Sequence, residues 1–302
     1  MNIKIKYLTV IILTIFFYGC VSQSKDKEEY LISLAEWSLH RNLQDSSIDH
    51  LDVARIAVDS FNISAIEYVS QFFQNKAQDF SYLQQMKDSC SKYHVQNLLI
   101  MVDGEGNLGD TAENLRILSV EDHKKWIDAA LFLECNAIRV NGCGLGTMDM
   151  VQQALIKSLD ELSAYASDKN IQILVENHGM IMPDGSWNYY SHATNGKWLA
   201  ETIKKVNKPN IGTLPDFGNF VEYDRYQGLE DLIPFAGGIS AKGIQFDELG
   251  EETQTDYSKM FQIIHKHKFN GYIGIEFEGD VDENFTEFDG VRKVFNLIRK
   301  YY

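Results

Sequence analysis

The sequence predicts an α/β chain folded as one (β/α)8 barrel, the TIM-barrel class, behind a short leader. Three observations carry this expectation. Eight apolar, strand-like stretches alternate with amphipathic, helix-like ones along the chain. The chain beyond residue 30 has the length of one large barrel, with no low-complexity linker and only 4 prolines. A doubly wound sheet would carry a Gly-rich phosphate loop after its first strand, but the chain there reads RNLQDSS.

Residues 1–20 read as a targeting segment. Lys4 and Lys6 precede the apolar run YLTVIILTIFFY, which ends at Gly19-Cys20. A transmembrane helix needs roughly 20 apolar residues, so this shorter run fits a secretory signal core better. A small residue before a cysteine resembles a lipoprotein cleavage site. Cys20 is then the lipidated residue, residues 21–30 (VSQSKDKEEY) a polar tether, and residues 31–302 the barrel. An uncleaved signal anchor is the alternative. The expected location is outside the cytoplasm, on the periplasmic side or the cell surface, with membrane contact only through the lipid.

The strand stretches, in order, are 32–40, 64–69, 95–103, 136–141, 171–176, 210–216, 237–244 and 272–277. Between them, SIDHLDVARIAVDSF, SVEDHKKWIDAALFLE, MVQQALIKSLDELSAYASDK, NGKWLAETIKKVN, TDYSKMFQIIHKHK and FDGVRKVFNLIRKYY repeat their apolar positions at helical spacing. Ser119 with Asp122 resembles an N-terminal capping signal. GLEDLIPFA, after the sixth strand, allows only a short helix. Long polar loops follow the third and fifth strands, GEGNLGDTAENLRIL and GMIMPDGSWNYYSHATNG. In a barrel they overhang the C-terminal mouth, where ligands bind.

The formal charge is −15, and −17 once Lys4 and Lys6 leave with the leader. So acidic a chain is a poor partner for nucleic acid, which needs clustered Lys and Arg to displace counterions. Cys90, Cys135 and Cys143 remain in the mature chain. An odd number without close pairing is unlike a disulfide scaffold, and free buried thiols are expected.

Three strands end in carboxylates: IQILVENHG at Glu176, NIGTLPDFGN at Asp216, and GYIGIEFEG at Glu276 and Glu278. Barrel geometry brings such tips to one mouth. Acids held close repel, and their pKa values rise unless a positive charge relieves them. A divalent cation is one such charge, and an all-oxygen set favours Mg, Mn or Ca. The rival reading is structural, with each acid pairing to Lys or Arg. Glu176 and His178 sit two apart, as do Ser240 and Lys242, so each pair shares a face in extended chain. Arg139 and Asn141 share one face of the fourth strand. Glu67 ends the second. Trp37 and His40 differ in parity on a regular first strand, and His40 is the one expected to face inward. The WNYY cluster (187–190) offers rings for stacking on a ligand, or for loop packing. His265 and His267 fall on an outer helix.

WSLH, IEYV, LVENHG, LPDFGNF, SAKGIQFDELGEE and GYIGIEFEG together resemble the xylose-isomerase-like barrel superfamily, which holds sugar isomerases and epimerases and also the AP endonucleases. The resemblance spans about residues 30 to 300. It implies one divalent metal, Mn, Mg or similar, held by Glu176, Asp216 and Glu276. The seventh-strand ligand, a histidine in such epimerases, is Ser240 here. It also implies proton abstraction beside a carbonyl, with Glu176 and Glu276 as base and acid. The substrate expected is a sugar or keto-sugar, contacted by His40, Glu67, Asn141, His178 and Lys242. A sugar-binding barrel without catalysis, and a hydrolase or lyase acting on a sugar derivative, are the alternatives.

Overall fold

The computed structural model describes residues 31–182 and 184–302. The leader, the tether and Cys20 lie outside the described residues. All eight expected strands form: β1 (Ile32–Ala35), β2 (Ala65–Val69), β3 (Gln96–Met101), β4 (Ala137–Asn141), β5 (Gln172–Glu176), β8 (Ile211–Leu214), β9 (Ile239–Gly243) and β10 (Ile273–Phe277). A two-stranded antiparallel hairpin, β6 (Met180–Ile181) and β7 (Trp187–Asn188), rises from the loop after β5. The eight strands run parallel in the order β8-β5-β4-β3-β2-β1-β10-β9. The two ends of that sheet meet: Ser240 N donates to Pro215 O at 2.9 Å, and Phe217 N to Ser240 O at 3.0 Å. Those bonds pair Asp216 with Ser240 across the seam and close the barrel.

Strand parity divides the core in two. Ile66, Ile100, Ile138, Val140, Ile173, Val175, Ile239 and Ile275 face outward, toward the helices. The helices that cover them are α2 (Val53–Phe61), α3 (Phe80–Tyr93), α4 (Glu113–Leu133), α5 (Met148–Ala166), α6 (Gly196–Val206), α7 (Arg225–Leu232), α8 (Tyr257–Lys266) and α9 (Glu287–Tyr301), with α1 (His40–Gln44) a short turn near β1. Ala35, Val69, Leu99, Met101, Ala137, Leu174 and Leu214 form a smaller cluster in the lumen. The alternate positions therefore reach the mouth from inside: Arg139, Glu176, Ser240, Lys242 and Glu276 are all buried. Asn62, His94, Glu134, Asn170 and Asn207 have positive φ and turn the chain from a helical segment toward the next strand.

Several expectations are corrected. β1 stops at Ala35, and Glu36–Leu39 wind into a 3-10 turn, so the parity argument at Trp37 and His40 does not apply. Helix α4 starts at Glu113, six residues before the expected cap. Ser119 is buried in its interior, because the preceding ENLRIL continues the helix. The three cysteines in the described residues are free and buried, as expected.

Candidate functional site

A cavity of about 480 Å³ opens at the C-terminal mouth of the barrel. Its floor and walls come from strand tips and the loops after them. β3 leads to Asp103, β4 supplies Arg139 and Asn141, β9 supplies Lys242, and β10 supplies Glu276 and then Glu278. The Gly-rich loop beyond β3 contributes Gly104, Gly106 and Asn107. Gly104 and Gly106 hold φ of +81° and +78°, the left-handed region that glycine takes without strain.

Lys242 is the hub. Its Nζ lies 3.0 Å from Glu276 Oε1, 2.8 Å from Glu278 Oε2 and 3.7 Å from Asp216 Oδ2. It also donates to Asn219 Oδ1 at 3.0 Å. The ammonium hydrogen-bonds Glu278 and Asn219 and forms an ion pair with Glu276. Burial alone would favour the neutral amine, but the surrounding carboxylates hold its pKa well above the ordinary lysine value. The side chain can lie across this site because residue 218 is glycine. A Cβ there would come within 2.7 Å of Lys242 Cδ.

Arg139 is the second cation. Its guanidinium meets Asp103 Oδ1 at 2.6 Å and Oδ2 at 3.3 Å, and its Nε lies 2.8 Å from Glu176 Oε2. Asn141 completes this corner, donating to Asp103 at 2.8 Å and accepting from Arg139 at 3.0 Å. The Arg139 charge outweighs burial at Asp103 and keeps that carboxyl well below the usual range. Two cations thus face five carboxylates, Asp103, Glu176, Asp216, Glu276 and Glu278. The imbalance appears in the acids furthest from solvent. Burial and then neighbouring negative charge push both Glu176 and Asp216 up to about 7, against the pull of Arg139 and Lys242.

Ser240 Oγ sits 2.8 Å from Asp216 Oδ2 and 3.0 Å from Glu276 Oε2. A hydroxyl has one proton, so it satisfies two carboxyls only if one of them is protonated. Asp216, raised by burial, is suited to carry that proton. Asn219 Nδ2 donates to Glu176 Oε1 at 2.9 Å, tying the two cationic corners together.

The predicted residues are distributed unevenly. Glu276, Asn141, His178 and Lys242 line the cavity. Glu176 and Asp216 converge on the same cluster but lie behind the wall, 1% and 0% exposed. Glu67 does not line the cavity. It is buried in the lumen with Oε1 2.5 Å from Ser33 Oγ, in space left by Gly274, where a Cβ would come within 2.6 Å of that oxygen. His40 is also off the cavity. Its Nδ1 lies 2.7 Å from Trp37 O and its ring stacks on Trp37, while Trp37 itself forms the wall and donates to Glu278 at 3.2 Å. The 3-10 turn rotates Trp37 inward. Asp103 went unmarked, although it follows Leu99 and Met101 at strand parity. The β6–β7 hairpin brings Trp187 and Tyr189 over the mouth, with Trp187 edge-on to His178 at 5.1 Å. His178 is half-buried; desolvation lowers its pKa, and the Arg139 charge adds to the effect.

The family model described as xylose isomerase-like TIM barrel matches residues 54–301. The chain belongs to this family. Solved structures agree in fold. The 3-keto-D-glucoside 4-epimerase YcjR from E. coli superposes with a TM-score of 0.68 at 13% identity, over 89% of this chain and 100% of its own. The D-allulose 3-epimerase from Methylomonas sp. gives 0.68 at 14% identity, over 91% and 99%. The IOLI protein, solved with a zinc atom bound, gives 0.68 at 13% identity, over 90% and 99%. A search of the curated proteins finds no match.

The resemblance to metal-holding epimerases raises the question of whether this site fits a metal. Its donor set does not. The seventh-strand position is a serine whose hydroxyl already bridges Asp216 and Glu276. A lysine ammonium sits within ion-pair distance of both those acids. The remaining predicted ligand, Glu176, is turned to Arg139 and Asn219. Among the described residues, no three His, Cys, Asp or Glu side chains group as ion ligands.

Proposed function

We propose that this member of the family is a sugar epimerase or isomerase that removes a proton from the carbon beside the carbonyl of a keto-sugar. The observation that carries the reading is Glu276, a carboxylate on the cavity wall, paired to a buried ammonium 3.0 Å away. A base alone cannot detach so weakly acidic a proton. It also needs positive charge where the enediolate oxygen develops. Neighbours in fold named as a 3-keto-D-glucoside 4-epimerase and a D-allulose 3-epimerase support a sugar as the substrate class.

In this reading Glu276 takes the proton and Lys242 faces the oxygen that gains charge. Glu176 acts behind the wall: through Asn219 and Arg139 it fixes the groups that do line the cavity. Trp37, Trp187 and Tyr189 supply flat apolar faces for a sugar ring. The substrate is uncharged. Arg139 and Lys242 are both already held by carboxylates, and Asp103, Glu276 and Glu278 face the same cavity, so a phosphate entering it would meet net negative charge. We further propose that the protein is exported and anchored through a lipid on Cys20.

The test is proton exchange in D2O, followed by NMR across a panel of ketohexoses and 3-keto-glycosides. Wild type should wash deuterium into the carbon next to the carbonyl, and Glu276→Gln should abolish the exchange. Sugars that bind without exchanging would make this a binding barrel. Product release without exchange would make it a hydrolase or lyase.

A further inference from the structure

We infer that Lys242 does the work of the family's metal, so that this barrel polarises its substrate with a fixed ammonium and needs no divalent ion. The chemical role rests on the proposed epimerase or isomerase reading. The displacement of the ion by the lysine does not depend on it.

The geometry supports the substitution from three sides. Lys242 enters from β9 directly opposite Glu276 of β10 in the strand register, so the backbone itself sets the pair. Ser240, one face-turn earlier on β9, replaces a ligand with a hydroxyl that binds the two acids to each other. Gly218 leaves the space through which the lysine stem reaches the cluster, since a Cβ there would come within 2.7 Å of Cδ. A divalent ion brought to Asp216 and Glu276 would have to displace the buried Lys242 ammonium or sit beside it against strong repulsion.

The charge balance also closes. The C–H bond beside the carbonyl breaks, and its proton forms an O–H bond on Glu276. The electron pair moves onto the carbonyl oxygen as an enediolate. One negative charge has moved from Glu276 to the substrate, and Lys242 stands beside both positions. Of the three groups within 3.0 Å of its Nζ, Glu278 is the exposed one, with 40% of its side chain in solvent. The substrate oxygen takes the donor that Glu278 releases. Glu276 then gives its proton back to carbon as the enediolate collapses to a carbonyl, which restores the carboxylate, and no oxidant, reductant or second ion is needed.

The test uses the full chain, solubilised in detergent and dialysed against EDTA. Isothermal titration with Mn2+ and with Zn2+ should give wild type no stoichiometric binding that Glu276→Gln removes. Ser240→His/Lys242→Gln, which clears the ammonium and restores a ligand, should bind one Mn2+ per chain and gain a metal-dependent melting temperature. In the exchange assay, EDTA should leave the wild-type rate within twofold, and Lys242→Gln should lower it at least about 100-fold, as for loss of one preorganised donor. One equivalent of Mn2+ or Zn2+ on wild type, lost in Glu276→Gln, would overturn the inference. So would exchange abolished by EDTA and restored by metal, or a folded double variant that binds no ion. If no sugar exchanges, the functional reading falls, and the wild-type metal titration still decides the role of Lys242.

Discussion

Lys242 and Glu276 face each other on adjacent parallel strands, with Nζ 3.0 Å from Oε1 and both side chains almost wholly out of solvent. A buried pair of this kind is costly to assemble and costlier to break, because the surviving charge keeps its desolvation penalty. Here the survivor would be a group of acids, with Asp216 already pushed up to about 7 by burial while the ammonium is in place.

Lys242→Met should therefore destabilise the barrel by about 3–5 kcal/mol at pH 8, measured by urea unfolding. The loss should shrink toward pH 5, because Asp216 and Glu176, both raised to about 7, then carry protons and no longer need the cation. An equal loss at both pH values would show that packing of the lysine stem, and not its charge, supports the site.

Trp187 and Tyr189 stand over the cavity on the hairpin, 43% and 74% exposed. Side chains so open to solvent add little to folding, but they can stack on a sugar. Trp187→Ala and Tyr189→Ala should each weaken sugar binding by about 0.5–1.5 kcal/mol, seen as a rise in KM of roughly 2- to 12-fold with kcat nearly unchanged. The melting temperature should move by no more than a degree or two. A fall in kcat with KM constant would place the hairpin in the chemistry instead.

The eight strands were legible because apolar runs and helical spacing are local signals, and the acids at their tips followed from barrel geometry alone. What was not legible depended on contacts between distant segments. Nothing near Glu176 in sequence says that Arg139 will meet it, and nothing near Glu67 says that Gly274 opens a lumen site for it. Trp37 faces in because β1 stops five residues short of the expected 32–40 stretch, and a 3-10 turn changes which side chains face in. The hairpin hid in a polar loop because strands of two residues carry no periodicity.

The proposed lipid anchor makes a separate prediction. Cells expressing the full chain and fed labelled palmitate should label the wild-type protein and not Cys20→Ser, and the wild type should fractionate with membranes. Label retained in Cys20→Ser would place any acylation elsewhere, and label absent from both would remove the anchor from the proposal.

His50 gives the barrel a pH-dependent support away from the cavity. Its Nε2 lies 3.0 Å from Glu36 Oε1, and its Nδ1 2.8 Å from the Tyr82 hydroxyl, with Tyr68 and Phe73 packed about the ring. Glu36 is fully buried and also accepts from Val69 N at 2.8 Å, so the pair fastens the start of the Glu36–Leu39 turn to the end of β2. Burial disfavours the imidazolium, but Glu36, with a smaller part from Asp49, outweighs it and raises the His50 pKa above 6.5. A histidine whose folded pKa is raised binds protons more tightly when folded. Its stabilising contribution is full below about 6.5, the unfolded value, and is lost as pH climbs through the raised folded value. The unfolding free energy of wild type minus that of His50→Gln should therefore be largest at acid pH and fall as the solution becomes alkaline. The raised acids at the barrel mouth titrate alike in both proteins and drop out of this difference. Imidazole NMR should find His50 titrating above 6.5. A difference that stays flat across that range, or a titration below it, would mean that Glu36 does not hold the imidazolium.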